Sequence, residues 1–216
     1  MLTKYGYSTI GIAAIISFVL IAISIFVQSG YIKYPLIAIA LLILIFTLQF
    51  FRDPERVTPK KDNVIVSPAD GKVLIIKNVF EERFLKEDAI QISIFMSPIN
   101  VHVNRIPIDG TVDYLNYVEG EFLTAYNDKA DERNERSEIG ITSKFGKVLF
   151  TQVAGMVARR IIYELNLVDK VKMGERFGMI KFGSRVDVMV PKNWEIKVKE
   201  GDITTAGETI LFEINE

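Results

Sequence analysis

The chain has 216 residues, 49% of them hydrophobic, and its 26 basic and 27 acidic side chains leave a formal net charge of −1. Cysteine is absent, which excludes disulfides, thiolate metal sites and a cysteine nucleophile. The single histidine excludes histidine-rich metal sites, and no metal is expected. The basic residues form no stripe with interleaved aromatic residues, so the sequence gives no indication of nucleic-acid binding.

Two apolar runs near the N-terminus predict a membrane anchor over residues 1–51. The first, Ser8 to Val27, is uncharged and as a helix would span roughly 30 Å, enough to cross a bilayer. The second, Leu36 to Phe51, is shorter, and the connection Gln28 to Pro35 predicts a helical hairpin. A cleaved signal peptide is the alternative for the first run, but no small-residue cleavage site follows it.

Basic residues are unequally distributed around the two runs. Lys4 and four basic residues between Arg52 and Lys61 lie outside the hairpin ends, whereas the connection carries only Lys33. Because positive charge favours the cytoplasmic side, we expect a protein of the cell membrane whose catalytic part is cytoplasmic.

A charged, proline-containing segment, 52–63, predicts a linker to a soluble domain over residues 64–216. Short β-type runs separated by turn residues make this domain mainly β, a β-rich α+β fold. Met156 to Glu164 is the best candidate for a short helix, and the highly charged Lys129 to Glu138 is expected to be an exposed loop. The predicted strands are Val64–Val66, Lys72–Asn78, Ala89–Met96, Gly110–Val118, Ile139–Ser143, Lys147–Val153, Arg185–Val190, Glu195–Val198 and Thr209–Ile214.

Three sites carry residues suited to catalysis, and each has an ordinary structural explanation when taken alone. His102 is flanked by valines, as structural histidines often are. With one histidine and no cysteine in the chain, however, proton transfer near neutral pH by an unperturbed side chain would have to use His102. Asp70 lies in a Pro-Ala-Asp-Gly turn, where its carboxylate can simply accept a backbone hydrogen bond. Gly183-Ser184 can be a bend ahead of a strand.

Together, four segments resemble the phosphatidylserine decarboxylases, in which they occur in the same order. The similarity covers essentially the whole soluble domain, and the apolar N-terminus resembles that of the short members. The segments are Ser67-Pro-Ala-Asp-Gly71, His102-Val-Asn-Arg-Ile-Pro107, Gln152-Val-Ala-Gly-Met-Val-Ala-Arg-Arg160 and Gly178-Met-Ile-Lys-Phe-Gly-Ser-Arg-Val-Asp187.

The resemblance implies a decarboxylase that cuts its own chain between Gly183 and Ser184. Ser184 would attack the Gly183 carbonyl, with His102 as the base and Asp70 orienting the histidine. Elimination of the ester would give dehydroalanine, and its hydrolysis with loss of ammonia would leave a pyruvoyl group derived from Ser184. This covalent cofactor forms a Schiff base with the amine of an aminophospholipid and acts as an electron sink. The two fragments, 1–183 and 184–216, would stay associated.

The resemblance also leaves questions open. The substrate would be phosphatidylserine, or archaetidylserine if the membrane contains ether lipids, and the sequence does not say whether the protein is a homo-oligomer. Longer members carry a second histidine three positions after the first, where this chain has Arg105. Either His102 serves both self-cleavage and decarboxylation, or cleavage uses a different base.

Two other classes of function remain open from the sequence. A membrane-tethered serine hydrolase would use Ser184, His102 and Asp70 on an external substrate, although the Gly-x-Ser-x-Gly elbow of one large hydrolase class is missing. A lipoyl-like carrier module would use Lys129 in Asp128-Lys-Ala130, although the charged stretch that follows is unlike the tight hairpin of a carrier.

Overall fold

The structure is a computed structural model that describes residues 1–121, 134–155, 160–181 and 184–214. The chain divides into two compact units, 1–55 and 56–216. The first contains two apolar helices and the second is built from β-strands, which confirms the predicted fold class.

The first unit is a helical hairpin. A 3-10 helix, Lys4–Gly6, leads into α1, Tyr7–Phe26, and α2 spans Gly30–Phe50. Hydrogen bonds from Thr3 N to Phe51 O (2.9 Å) and from Asp53 N to Met1 O (2.8 Å) join the start of α1 to the end of α2. The two ends of the hairpin therefore lie on the same side, and both helices are long and apolar enough to cross a membrane.

The helix α2 begins earlier than the sequence indicated. Most of the predicted connection Gln28–Pro35 is helical, and Pro35 lies inside α2 as its sixth residue, where it removes one backbone hydrogen bond. The 21 residues of α2 span about 31 Å, so this helix does not need to stand upright to cross a bilayer. Within the hairpin, Ser17 Oγ donates a hydrogen bond of 2.9 Å to the carbonyl oxygen of Ala40.

The second unit contains fourteen strands among the described residues. Its largest sheet has the order β13-β2-β3-β11-β7-β6-β5-β9, and two three-stranded sheets have the orders β4-β10-β8 and β1-β14-β12. All pairings between these strands are antiparallel. The strands are β1 (Val64–Val66), β2 (Gly71–Glu81), β3 (Glu87–Met96), β4 (Val103–Arg105), β5 (Gly110–Val118), β6 (Arg136–Ser143), β7 (Gly146–Ala154), β8 (Arg160–Tyr163), β9 (Lys170–Val171), β10 (Arg176–Lys181), β11 (Ser184–Pro191), β12 (Glu195–Ile196), β13 (Ile203–Thr204) and β14 (Ile210–Glu213).

One face of the large sheet covers the hydrophobic core. Alternate residues of β11, such as Val186 and Val188, point to this face and pack with Ile94 of β3 and Phe150 of β7, all fully buried. The strand β11 lies in the interior of the sheet, because it pairs with β3 along Ser184–Pro191 and with β7 along Ser184–Met189.

Part of the predicted linker packs against the β domain. Val57 N donates to Glu208 Oε1 (2.7 Å). Asn63 Nδ2 donates to Ile214 O (2.9 Å), and Ile214 N donates to Asn63 O (3.0 Å). These contacts agree with the unit boundary at residue 55.

Two local predictions are wrong where the structure describes them. The C-terminal half of the predicted helix Met156–Glu164 forms β8, because Arg160–Tyr163 pairs with β10. The end of the predicted exposed loop lies in β6, where Ser137 and Glu138 are buried. Lys129 and the rest of that loop up to residue 133 lie outside the described residues.

The burial of Glu138 is made possible by a cluster of donors on the face of the sheet away from the main core. Glu138 Oε1 accepts from Arg83 Nη1 (2.5 Å) and Arg136 Nε (2.8 Å), and Oε2 accepts from Tyr114 OH (2.9 Å) and Asn116 Nδ2 (3.1 Å). Burial by itself would raise the pKa of Glu138, but these hydrogen bonds and the charge of Arg83 outweigh it and lower the pKa to about 2.

We expect Glu138→Gln to destabilise the protein in a pH-dependent way. Because folding depresses the pKa from its usual 4.5, the contribution of Glu138 is fully present above pH 4.5 and is lost as the pH falls toward 2. The loss should be on the order of 2 kcal/mol at pH 7 and should shrink in acid. Chemical unfolding of the detergent-solubilised chain at several pH values measures it, with the exposed Glu87→Gln as the control. A difference in unfolding free energy between wild type and Glu138→Gln that stays constant across these pH values would contradict the lowered pKa of Glu138.

Candidate active site

Ser184 lies where the chain enters the large sheet. It is the first residue of β11 and pairs with Met96 at the end of β3 and Ala154 at the end of β7. Its side chain points to the core face and is fully buried, and Ser184 Oγ donates to Met96 Sδ at 3.3 Å. The neighbouring Gly183, the other half of the predicted cleavage site, lies outside the described residues.

His102 is fully buried in the segment that leads into β4, and its ring is oriented by the backbone. Its Nδ1 lies 3.0 Å from Asn100 O. Since a carbonyl oxygen only accepts, Nδ1 carries the proton in this hydrogen bond and the lone pair of the neutral ring is on Nε2. This is the tautomer that a base acting through Nε2 requires.

A tight turn connects His102 to β3, the strand whose last residue pairs with Ser184 of β11. Asn100 N donates to Ser97 O (2.8 Å), and Ser97 N donates to Asn100 Oδ1 (2.8 Å). Ser97 directly follows Met96, the residue that contacts Ser184. The end of β3 therefore positions both Ser184 and the carbonyl that orients His102.

Behind Ser184 runs a buried chain of polar side chains whose direction is fixed by donors and acceptors. Ser137 Oγ donates to Gln152 Oε1 (2.7 Å), and Gln152 Nε2 donates to Asn104 Oδ1 (2.8 Å). Asn104 Nδ2 then lies 3.3 Å from Pro68 O and 3.7 Å from Met96 Sδ. The chain thus ends at the sulfur that also accepts from Ser184.

Asp70 lies in the turn between β1 and β2, and this turn packs against the His102 segment. Arg105 N donates to Pro68 O (2.9 Å). The Asp70 carboxylate accepts from Arg56 Nη2 (2.7 Å) and from Ala206 N (2.8 Å). The structure therefore brings the two segments together, but the Asp70 to His102 hydrogen bond implied by the resemblance is not formed in this conformation.

Arg105, which occupies the position of the second histidine of longer family members, makes a structural contact. Its Nη1 donates to Gly174 O (2.8 Å), and its Cδ lies so close to Gly207 that a Cβ there would be 2.8 Å away. Because side chains alternate along a strand, Arg105 lies on the opposite side of β4 from Asn104 and the Ser184 cluster. This position supplies no replacement base beside Ser184.

The predicted cleavage point would divide the fold without separating its strands. Residues 184–216 contribute β11, β12, β13 and β14. Of these, β11 lies between β3 and β7, β13 pairs with β2, and β14 pairs with β1. All four of those partner strands precede residue 183, so a cut there would leave the two fragments joined through four strand ladders, three in the large sheet and one in a three-stranded sheet.

Sequence reasoning missed several residues of this cluster. Asn104 and Gln152 were noticed only as parts of motifs, although an amide within an otherwise apolar strand indicates a buried hydrogen-bond network. Met96 and Arg56 gave no signal, because a methionine that ends an apolar strand and an arginine in a charged segment are both ordinary.

Comparisons with known proteins agree with this arrangement. The sequence model of the phosphatidylserine decarboxylase family matches residues 43–212. The chain is 48% identical over 211 residues to the phosphatidylserine decarboxylase proenzyme of Chlorobium limicola, covering 98% of this chain and 99% of the relative. It is 49% identical over 213 residues to that of Chlorobium phaeobacteroides, with the same coverage, and 46% identical to that of Chlorobaculum tepidum.

The chain belongs to the phosphatidylserine decarboxylase family. Membership of this family gives no support to a serine hydrolase or a lipoyl-like carrier. Lys129, on which the carrier hypothesis depended, lies outside the described residues.

We expect Gln152→Leu to disturb this site. It removes the partner of both Ser137 Oγ and Asn104 Oδ1 inside the core, which should cost about 1 to 3 kcal/mol of the free energy of unfolding. Because Asn104 contacts Met96, self-cleavage should also slow. Cleavage is followed on denaturing gels during expression at low temperature.

The matched control is Gln91→Leu. Gln91 is also a buried glutamine of the large sheet, but it lies on the other face and donates only to Ser93 Oγ (3.0 Å). Gln91→Leu should cleave at the wild-type rate. Equal effects of the two substitutions on cleavage would show that the polar chain behind Ser184 has no special role.

Proposed function

We propose that this chain is a membrane-bound phosphatidylserine decarboxylase that forms its own pyruvoyl group from Ser184. The observation that carries the proposal is its similarity, over 98% of its length, to relatives named phosphatidylserine decarboxylase proenzyme. The word proenzyme supports a precursor that is cut, and the relatives' names favour phosphatidylserine over archaetidylserine as substrate.

The position of Ser184 suits conversion to a pyruvoyl group. Conversion removes the backbone N–H of residue 184. In the middle of a strand, the loss of an N–H group would interrupt the ladder of backbone hydrogen bonds. At the first residue of β11, the rest of the strand keeps its bonds to β3 and β7. The side chain is also enclosed, together with Met96 and Ala154, which would shield a reactive ketone from water.

For self-cleavage, the proposed nucleophile is Ser184 Oγ and the proposed base is His102 through Nε2. A serine hydroxyl is a weak nucleophile until a base accepts its proton, and His102 is the only histidine in the chain. Asn100 O fixes the ring, so the histidine does not depend on a carboxylate for its tautomer. Asp70 would act as an orienting group, either by leaving Arg56 to reach the ring or by holding the Pro68 carbonyl against Asn104.

For decarboxylation, the proposed task of His102 is to hold and deliver a proton. The pyruvoyl group, once present, would bind the substrate amine and take up the electrons released as carbon dioxide leaves. The site must then protonate the substrate carbon and keep bulk water out while it does so. A buried imidazole in the segment that leads into β4 is suited to both tasks.

The membrane hairpin is proposed to place this site beside its lipid substrate. Both helices could cross a bilayer, and the basic residues beyond α2 favour a β domain on the cytoplasmic side. The cut would leave fragments 1–183 and 184–216 associated through the sheets described above. We expect the fragments to separate only on denaturation.

Ser184→Ala tests the origin of the pyruvoyl group. We expect the wild type to give two fragments on a denaturing gel, with an intact mass for the small fragment that matches residues 184–216 after conversion of serine to pyruvoyl. Ser184→Ala should remain one chain without decarboxylase activity, while the buried Ser93→Ala should be cut normally. An uncut wild type that still decarboxylates phosphatidylserine would overturn the proposal.

His102→Gln tests the proposed base. Loss of a general base typically costs 10²- to 10⁴-fold in rate, so cleavage should slow by about 100-fold or more. Asp70→Asn should slow cleavage less, because the single amide oxygen can still accept from Ala206 N and only the hydrogen bond from Arg56 is lost. Time courses of cleavage after synthesis measure both. Normal cleavage of His102→Gln with loss of decarboxylation would show that another group is the cleavage base.

A further inference from the structure

Arg56 ties the charged segment that follows the helical hairpin to the turn that carries Asp70. Its Nη2 donates to Asp70 Oδ2 (2.7 Å), and its Nη1 lies 3.9 Å from Glu208 Oε2. Glu208 also accepts from Val57 N (2.7 Å), which fixes the backbone next to Arg56. The side chains of Arg56 and Asp70 are each only 14% exposed, so the loss of one partner leaves a largely buried charge without its counterion.

The turn between β1 and β2 is held at both of its ends. At one end, the backbone of Ser67 makes two hydrogen bonds of 2.8 Å with the backbone of residues 207–209. At the other end, the Asp70 carboxylate accepts from Arg56 and from a backbone N–H. Pro68 lies between these two points, so the position of its carbonyl oxygen depends on both.

Contacts lead from the Pro68 carbonyl to the candidate nucleophile. Pro68 O lies 3.3 Å from Asn104 Nδ2. The same nitrogen lies 3.7 Å from Met96 Sδ, the atom that accepts from Ser184 Oγ. Arg56 is therefore the outer end of a series of contacts that reaches Ser184.

Asp70 can act at this site in two ways, and its contacts favour one of them. To orient His102 through Nδ1, the carboxylate would have to give up the hydrogen bonds from Arg56 and Ala206. The His102 ring would also have to leave Asn100 O, which is 3.0 Å from Nδ1. Charge-assisted hydrogen bonds such as the one from Arg56 are among the strongest in proteins. Holding the turn in place, by contrast, requires no rearrangement.

We infer that Arg56 is a positioning residue for self-cleavage. It holds the Asp70 carboxylate and so keeps the Pro68 carbonyl against Asn104. The inference rests on the proposed function, in which Ser184 Oγ attacks its own chain. The segment that follows the helical hairpin is then part of the candidate site as well as a tether.

A double-mutant cycle on the rate of cleavage tests this role. Arg56→Met and Asp70→Asn remove the same hydrogen bond, because the asparagine oxygen can still accept from Ala206 N. Each should slow cleavage by about 10-fold, the effect of one charge-assisted hydrogen bond. The double variant should be no slower than the slower single variant, because both changes act on one unit. Arg56→Lys, which keeps the charge and a donor for Asp70, should recover most of the rate.

Lys61→Met is the matched control. Lys61 belongs to the same charged segment and also pairs with a carboxylate of the β domain, that of Glu213, at 3.0 Å. Glu213 lies in β14, outside the series of contacts that leads to Ser184. Lys61→Met should therefore be cut at the wild-type rate in time courses after synthesis.

The ring of His102 gives a second measurement, one that does not depend on cleavage. Because His102 is the only histidine, selective nitrogen-15 labelling reports this ring alone by nuclear magnetic resonance. In uncut Ser184→Ala the proton should be on Nδ1, and adding Arg56→Met should leave the tautomer and the titration midpoint unchanged. If Asp70, once released, turned to the ring, the midpoint would rise, since a nearby carboxylate favours the protonated form. That result would overturn the inference.

The inference and the proposed function fail in different ways. A wild type that is never cut overturns the proposed function. If the wild type is cut, the inference alone is overturned when Arg56→Met is cut at the wild-type rate or faster. It is also overturned when the effects of Arg56→Met and Asp70→Asn multiply, when Arg56→Lys is as slow as Arg56→Met, or when Lys61→Met is equally slow.

Folding of each variant is measured by circular dichroism in the Ser184→Ala protein, so that slow cleavage is not confused with loss of structure. Should Arg56→Met not fold, Arg56→Gln takes its place in the cycle. Normal cleavage of a folded Arg56→Gln would assign Arg56 to stability alone and overturn the inference.

Discussion

The pairing of β11 with β3 and β7 is the interaction on which the rest of the domain depends. Its ladder fixes Ser184 at the rim of the sheet while the following residues, among them Val186 and Val188, are buried in the core. A chain cut before Ser184 would lose one covalent bond but none of these contacts. The proposed self-cleavage therefore has a physical basis for leaving the fold intact, and the reactive residue would become a chain terminus held as firmly as the interior of a sheet.

Polar groups enter the core at the same end of this ladder. Ser137, Gln152 and Asn104 are buried side by side, and each finds a partner among the others or in the Pro68 carbonyl. Buried polar groups are stabilising only when they are satisfied, so the chain of donors and acceptors restrains the geometry more tightly than apolar packing would. It also links three of the four sequence motifs, which explains why widely separated segments converge on Ser184.

The sequence predicts the long-range features better than the short elements. Alternating apolar runs identified the long strands, and the two apolar runs identified the membrane hairpin. The short strands β4 and β10 were missed because β10 is buried on both faces and β4 has only three residues, so neither shows alternation. Arg160–Tyr163 suggested a helix since its apolar residues fit both periods, and only pairing with β10 decides the outcome. The motifs identified Ser184, His102 and Asp70 as candidates, but no pattern indicates that Arg56 would hold the Asp70 carboxylate.

The orientation of His102 bears on how one histidine could serve two reactions. A backbone carbonyl at Nδ1 selects the tautomer with a basic Nε2, but it stabilises the protonated ring less than a carboxylate would. Self-cleavage happens once in the life of each molecule and can be slow, whereas decarboxylation recurs and needs a group that gives up its proton readily. Within the proposed function, an imidazole held by Asn100 O would accept a proton in the first reaction and deliver one in the second, with Arg105 in place of the second histidine of longer family members.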